Sequence, residues 1–154
     1  MAQRAISPVV GTVLLLAITI VLAGTMSAVI LTPDVEPSIP TTRFSATADA
    51  STDSITLTHE GGQALDPDSV DVQIKVDGQS LDHQPPIPFF AAKGFKSGPT
   101  GPFNSQTRGN WTAGEAGTVE LATSNTPLLS DGATVEITIS RDGRVLTELE
   151  PIAE

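Results

Sequence analysis

The 154-residue chain contains no cysteine and no tyrosine, only two histidines and only three lysines. Without cysteine there is no disulfide, no thiolate nucleophile and no Cys-based zinc or iron–sulfur site. His59 and His83 are too few and too isolated to form a zinc site. Eight bases face 18 acids, giving a formal net charge of −10 and a pI near 4.4. That balance does not fit nucleic-acid binding through a basic face. The acids are scattered rather than set as an acid–base couple, and there is no G-x-S-x-G, P-loop or dinucleotide fingerprint. No enzyme is read here and no cofactor is expected. Asp66-Pro67-Asp68-Ser69-Val70-Asp71 places three carboxylates in six residues, which calcium would prefer. The stretch lacks the glycine and closing glutamate of a calcium loop and reads as a turn leading into a strand, so no metal site is expected.

What is present is unevenly distributed. The mean hydropathy of +0.08 averages two unlike pieces. From Ile6 to Leu31 there are 26 residues without a charge, and Arg4 is the sole charged side chain before Asp34. The remaining bases and all the acids follow, at 7 and 18, so the later piece carries −11. A 26-residue helix is about 39 Å long, and a bilayer core needs about 20 residues. Three readings compete for this stretch: a removed signal peptide, a plain membrane anchor, and an anchor that becomes the core of a filament. It is longer than the apolar region of a signal peptide and has no clean A-x-A site after it. Arg4 before the span and Asp34 and Glu36 after it put the N-terminus in the cytoplasm and the acidic piece outside. Ser7-Pro8 reads as an N-cap followed by proline at the first helical position, and Pro33 as the stop. Gly24 with Ala28, and Ala23 with Ser27, are small-xxx-small pairs that let another helix approach closely.

The head before the span is very short, Met1-Ala2-Gln3-Arg4-Ala5, and abuts the apolar run directly. The run from Arg4 through Ala5-Ile6-Ser7-Pro8-Val9-Val10-Gly11-Thr12 to Thr19 closely resembles the N-terminus of archaeal type IV pilins, especially haloarchaeal ones. The resemblance covers about 25 residues strongly. It implies a prepilin-peptidase cut between Ala5 and Ile6, with Arg4, Ala5 and Ile6 as the processing residues. It also implies helices that bundle as a filament core, with Gly11, Gly24 and Ala28 at close approaches. Bacterial pilins usually carry a glutamate where this chain has Val10, so assembly here would rest on packing and apolar burial. Archaeal members commonly lack that glutamate. Archaellins fit less well, because their glycine-rich start is absent.

Beyond the span, Thr32 to Arg43 holds three prolines and reads as a stiff spacer. Period-two alternation then takes over at Ile55/Leu57, Val70–Val76, Val119/Leu121 and Val135–Ile139, the mark of half-buried strands. Asp77-Gly78 and Asp142-Gly143 read as tight hairpin turns. The expected fold class is α+β: one long N-terminal hydrophobic helix followed by a small antiparallel β-sandwich, immunoglobulin-like in topology. The expected organisation is a cleaved leader at 1–5, a helix at 6–31, a linker at 32–43 and an extracellular domain at 44–154. Strand order is not legible.

Residues 83–114 contain no acid, three bases (Lys93, Lys96, Arg108) and five of the six aromatics. Five prolines and five glycines exclude regular structure over most of this window. Phe95, Phe103, Lys93 and Lys96 are the candidate contact residues. Phe89, Phe90 and Trp111 are expected to fold back onto one end of the sandwich. Asn110-Trp111-Thr112 is a glycosylation sequon. The acidic surplus suits work in high salt.

The primary expectation is a subunit of an archaeal type IV pilus that polymerises with copies of itself, after cleavage by prepilin peptidase and a stage in the cell membrane. Display on the cell surface for adhesion is expected by resemblance. The alternative is a non-polymerising membrane-anchored surface binding module. A secreted carbohydrate-acting enzyme is the weakest reading.

Overall fold

The computed structural model describes residues 6–30 and 42–154, with helix side chains described for residues 8–25. The chain divides into two units, residues 1–38 and 39–154.

In the first unit a single helix, α1, spans Ile6–Ile30. Ile6 and Ser7 are already helical, so Pro8 sits within the first turn and Ser7 is not the cap. Proline is tolerated there because the N–H it lacks has no partner inside a helix. The helix is about 37 Å long at 1.5 Å per residue. Its segment Pro8–Thr25 carries no charge, has a mean hydropathy of 2.2 and is unburied. The large side chains from Val9 to Leu22 are 49–69 % exposed, so apolar surface runs round the whole circumference. Three hydroxyls interrupt it, and each is bonded back to its own helix. Thr12 Oγ1 donates to Val9 O at 2.9 Å, Thr19 to Leu15 O at 2.7 Å and Thr25 to Leu22 O at 2.9 Å. A hydroxyl satisfied this way costs little in an apolar surround.

The second unit contains seven strands among the described residues: β1 Thr42–Asp49, β2 Ser54–Gly62, β3 Val70–Val76, β4 Gln79–Ser80, β5 Ala116–Glu120, β6 Val135–Arg141 and β7 Arg144–Leu149. Two antiparallel sheets form, one ordered β1-β2-β5 and the other β4-β3-β6-β7. The fold is therefore the expected helix followed by antiparallel sheets. β1 begins at Thr42, so Thr42 and Arg43 are strand and not linker; residues 32–41 lie outside the described residues.

Alternation decides which faces turn inward. In β3 the burial strictly alternates, with Val70, Val72, Ile74 and Val76 inside. Ile55 and Leu57 of β2, Val119 of β5 and Val135, Ile137 and Ile139 of β6 meet them in one core. At the two short hairpins Asp77 and Gly78 (φ +50° and +77°) and Asp142 and Gly143 (+50° and +76°) are left-handed, as the Asp-Gly turns require.

The final residues tie the sheets together. Ala153 pairs with Ala48 of β1, and Ile152 with Thr134 just before β6. Ala50 N donates to Glu154 O at 2.8 Å, and Glu154 N to Ala48 O at 3.1 Å. Elsewhere a side chain does the work of a strand. Ile74 N donates to Gln84 Oε1 at 2.7 Å, and Gln84 Nε2 donates to Ile74 O at 2.9 Å.

Candidate functional site

Two surfaces hold the residues singled out by the sequence: the helix and the aromatic loop. On the helix, Arg4 and Ala5 lie outside the described residues. Ile6 is the first residue of α1, and its side chain, like that of Ala28, lies outside them too. Gly11 and Gly24 are described, and nothing lies within 4 Å of where a Cβ would stand on either. Thirteen residues separate them, which at 3.6 residues per turn puts them about 140° apart. They therefore serve two different faces of α1 and do not form one stripe.

The loop corrects the sequence reading of its aromatics. Phe95 and Phe103, the expected contact residues, are buried at 6 % and 1 % exposure. The cause is the edge of β5, whose backbone groups the loop satisfies. Lys96 N donates to Glu120 O at 2.9 Å, and Thr100 N to Thr118 O at 3.0 Å. Phe95 is bridged to Leu121, which turns its ring inward and leaves Lys96 outside. Lys96 Nζ then reaches Glu120 at 3.0 Å, an exposed pair of small energetic weight. Lys93 is exposed. Phe89 and Trp111 fold back as expected, while Phe90, expected to do the same, is 48 % exposed. Phe90, Lys93 and Lys96 thus face outward from this loop, while Phe95 and Phe103 do not.

Trp111 is the hub beneath the loop. Phe44, Phe103 and His59 stand around it, with ring centroids at 5.0, 5.1 and 6.0 Å. Its Nε1 donates to Glu115 O at 2.9 Å, which meets the polar need of a buried indole. His59 is fully buried, with Nε2 3.1 Å from Gln63 O. Asn125, also fully buried, clamps the loop's start: it accepts from His83 N at 2.9 Å and donates to His83 O at 3.0 Å.

Three exposed carboxylates are held below their ordinary range by hydrogen-bond donors. The Ser51 hydroxyl leads at Asp49, the Thr126 hydroxyl at Asp82 and the Thr112 backbone N–H at Glu115. Among the described residues no grouping of His, Asp and Glu suits a metal.

Residues 4–44 match the family model described as archaeal type IV pilin, N-terminal. That stretch, about a quarter of the chain, covers α1 and reaches the first residues of β1, and it is similar to the N-terminal region of archaeal type IV pilins. The match supports a type IV pilin subunit. No curated protein matches the chain.

Proposed function

We propose that the chain is a structural subunit of an archaeal type IV pilus that polymerises through α1 and serves surface adhesion. The observation that carries this reading is an uncharged 25-residue helix, apolar all round over its described side chains Pro8–Thr25, inside a segment that matches the pilin N-terminal region. As a precursor it sits in the membrane with its N-terminus cytoplasmic and residues 44–154 outside. Prepilin peptidase removes residues 1–5 by cutting between Ala5 and Ile6. On assembly each helix exchanges lipid contacts for contacts with other helices, so an apolar circumference suits both states. Asn110, exposed on the outer domain, is the glycan acceptor. Lys93 and Lys96 belong to the surface that meets acidic neighbours.

The test is to shear filaments from cells and read this subunit's N-terminus by mass spectrometry. A start at Ile6 in sheared polymer is expected. Intact Met1 confined to the membrane fraction would overturn the proposal in favour of a non-polymerising anchored module. Arg4→Gly and Ala5→Asp are each expected to leave unprocessed protein in the membrane.

A further inference from the structure

Beside Asn110 the β-unit has an open groove of about 390 Å³, within the ~300–1,000 Å³ usual for small-molecule sites. Its walls are fixed by backbone pairing. Leu65 and Trp111 exchange hydrogen bonds of 3.0 and 2.7 Å, which sets Asp66 across from Asn110. Asp66 Oδ1 accepts from Asp68 N at 3.1 Å, and Ser69 Oγ donates to Asp66 O at 2.8 Å. Opposite, Asn104 holds a turn by accepting from Gln106 N at 2.9 Å and Thr107 N at 2.8 Å. Phe89 N donates to Phe103 O at 2.8 Å and Ser105 N to Phe89 O at 3.1 Å. The groove is thus preformed.

Its chemistry is mixed. Its apolar lining is slight: Pro88 is half-buried, and Pro67 and Pro102 are buried in its floor. The side chains of Asp68, Ser105, Thr107, Arg108 and Asn110 line it as well, and among the described residues none of these five has an internal partner. They comprise a pure acceptor, a pure donor, two hydroxyls and an amide. A ligand matching all of them must both donate and accept at several closely spaced points. A pyranose does this. Asp66 and Asp68 outweigh Arg108 in charge, which disfavours phosphate and other anions, and the polar lining disfavours a purely apolar ligand.

We infer that this groove is a carbohydrate site that seats one or two neutral pyranose rings. The sugar has two potential sources: a glycan carried on Asn110 itself, or a glycan on an opposing surface. The inference stands whether or not the chain polymerises.

The test uses the full chain made without glycosylation, in phosphocholine micelles that contain no sugar headgroup. Methyl glycosides of glucose, galactose, mannose and N-acetylglucosamine are titrated while backbone amides are followed by NMR. Saturable shifts confined to Asp68, Ser105, Thr107, Arg108 and Asn110 are expected for at least one of them. Arg108→Ala is expected to weaken that binding about tenfold, the loss of one charge-assisted hydrogen bond, while Lys93→Ala leaves it unchanged. A second arm uses the chain from its own cells. A sugar on Asn110 by mass spectrometry, with nuclear Overhauser contacts to Thr107 and Arg108, assigns the groove to the attached glycan. An unmodified Asn110 with free-glycoside binding assigns it to a foreign one. No shift from any of the four glycosides, together with no contact from an attached sugar, overturns the inference.

Discussion

Gly117 of β5 lies directly beneath the Phe103 ring: a Cβ built on it would stand 2.6 Å from ring carbons Cγ and Cδ2. The ring is 1 % exposed and packs edge-on against Trp111, so it has nowhere to retreat. Gly117→Ala is predicted to destabilise the β-unit by about 1–3 kcal/mol through overpacking. Thermal unfolding followed by near-UV circular dichroism checks this. An unchanged midpoint would mean that the ring is free to move.

Asn125 spans 42 residues to bond both backbone groups of His83. Asn125→Ala strands a donor and an acceptor, and a loss of about 1–3 kcal/mol is expected from such unsatisfied groups. Asn125→Asp keeps the acceptor for His83 N but sets a carboxylate against His83 O, and is predicted to destabilise as well. Urea unfolding of the two variants decides; wild-type midpoints for both would refute the clamp.

Asp49, Asp82 and Glu115 all have lowered pKa values in the fold. For carboxylates the sign is definite. Their contribution to stability is fully present above the ordinary carboxylate range and is lost as the pH falls through the lowered folded values. Stability is therefore predicted to be flat on this account from neutrality to about pH 5 and to decline below about pH 4. Thr126→Val removes the hydroxyl that donates to Asp82 at 2.6 Å. It is predicted to move the Asp82 carboxyl upward in a carbon-detected NMR titration. No upward movement would assign the lowering to another group.

Gly24 has free space where a side chain would stand. If α1 packs against other helices there, Gly24→Leu should block the approach while adding apolar surface that the membrane accepts. Membrane-bound subunit at wild-type level with a marked loss of sheared filament is predicted. Filaments at wild-type yield would place Gly24 away from the packed interface.

The parts of the fold governed by local pattern were legible. The uncharged run from Ile6 announced the helix, and the alternation at Val70–Val76 announced both the strand and its inner face. β1 carried a weaker signal, because two of its three inward residues are Ala46 and Ala48, whose small side chains barely mark a face. The loop showed the limit most clearly. Proline and glycine density excludes regular structure in 83–114, but it says nothing about whether the loop lies against the core. Phe90 has the apolar neighbours Phe89 and Ala91 yet faces outward, whereas Phe95, between Gly94 and Lys96, is turned inward by pairing with Leu121 beside β5. Gln84 and Asn125 act through bonds to main chain 10 and 42 residues away, a reach with no local signature. The groove at Asn110 is joined from residues 66–68, 88, 102, 105 and 107–110; the sequence offered the carboxylates from Asp66, the base at Arg108 and the sequon, but no sign that they meet.

The bonds of Gln84 to Ile74 have a consequence for crowding. A strand edge with bare N–H and C=O groups is a template on which another chain can grow a sheet. In the proposed pilus, identical domains would stand beside one another along the whole fibre, the arrangement in which such growth is hardest to avoid. Here the Gln84 amide occupies the backbone groups of β3 at Ile74, and the 96–100 stretch occupies those of β5 at Thr118 and Glu120. At these two edges a neighbour finds side chains and a closed loop instead of an open ladder. The fibre could then grow through its helices without its outer domains fusing there into cross-β aggregates.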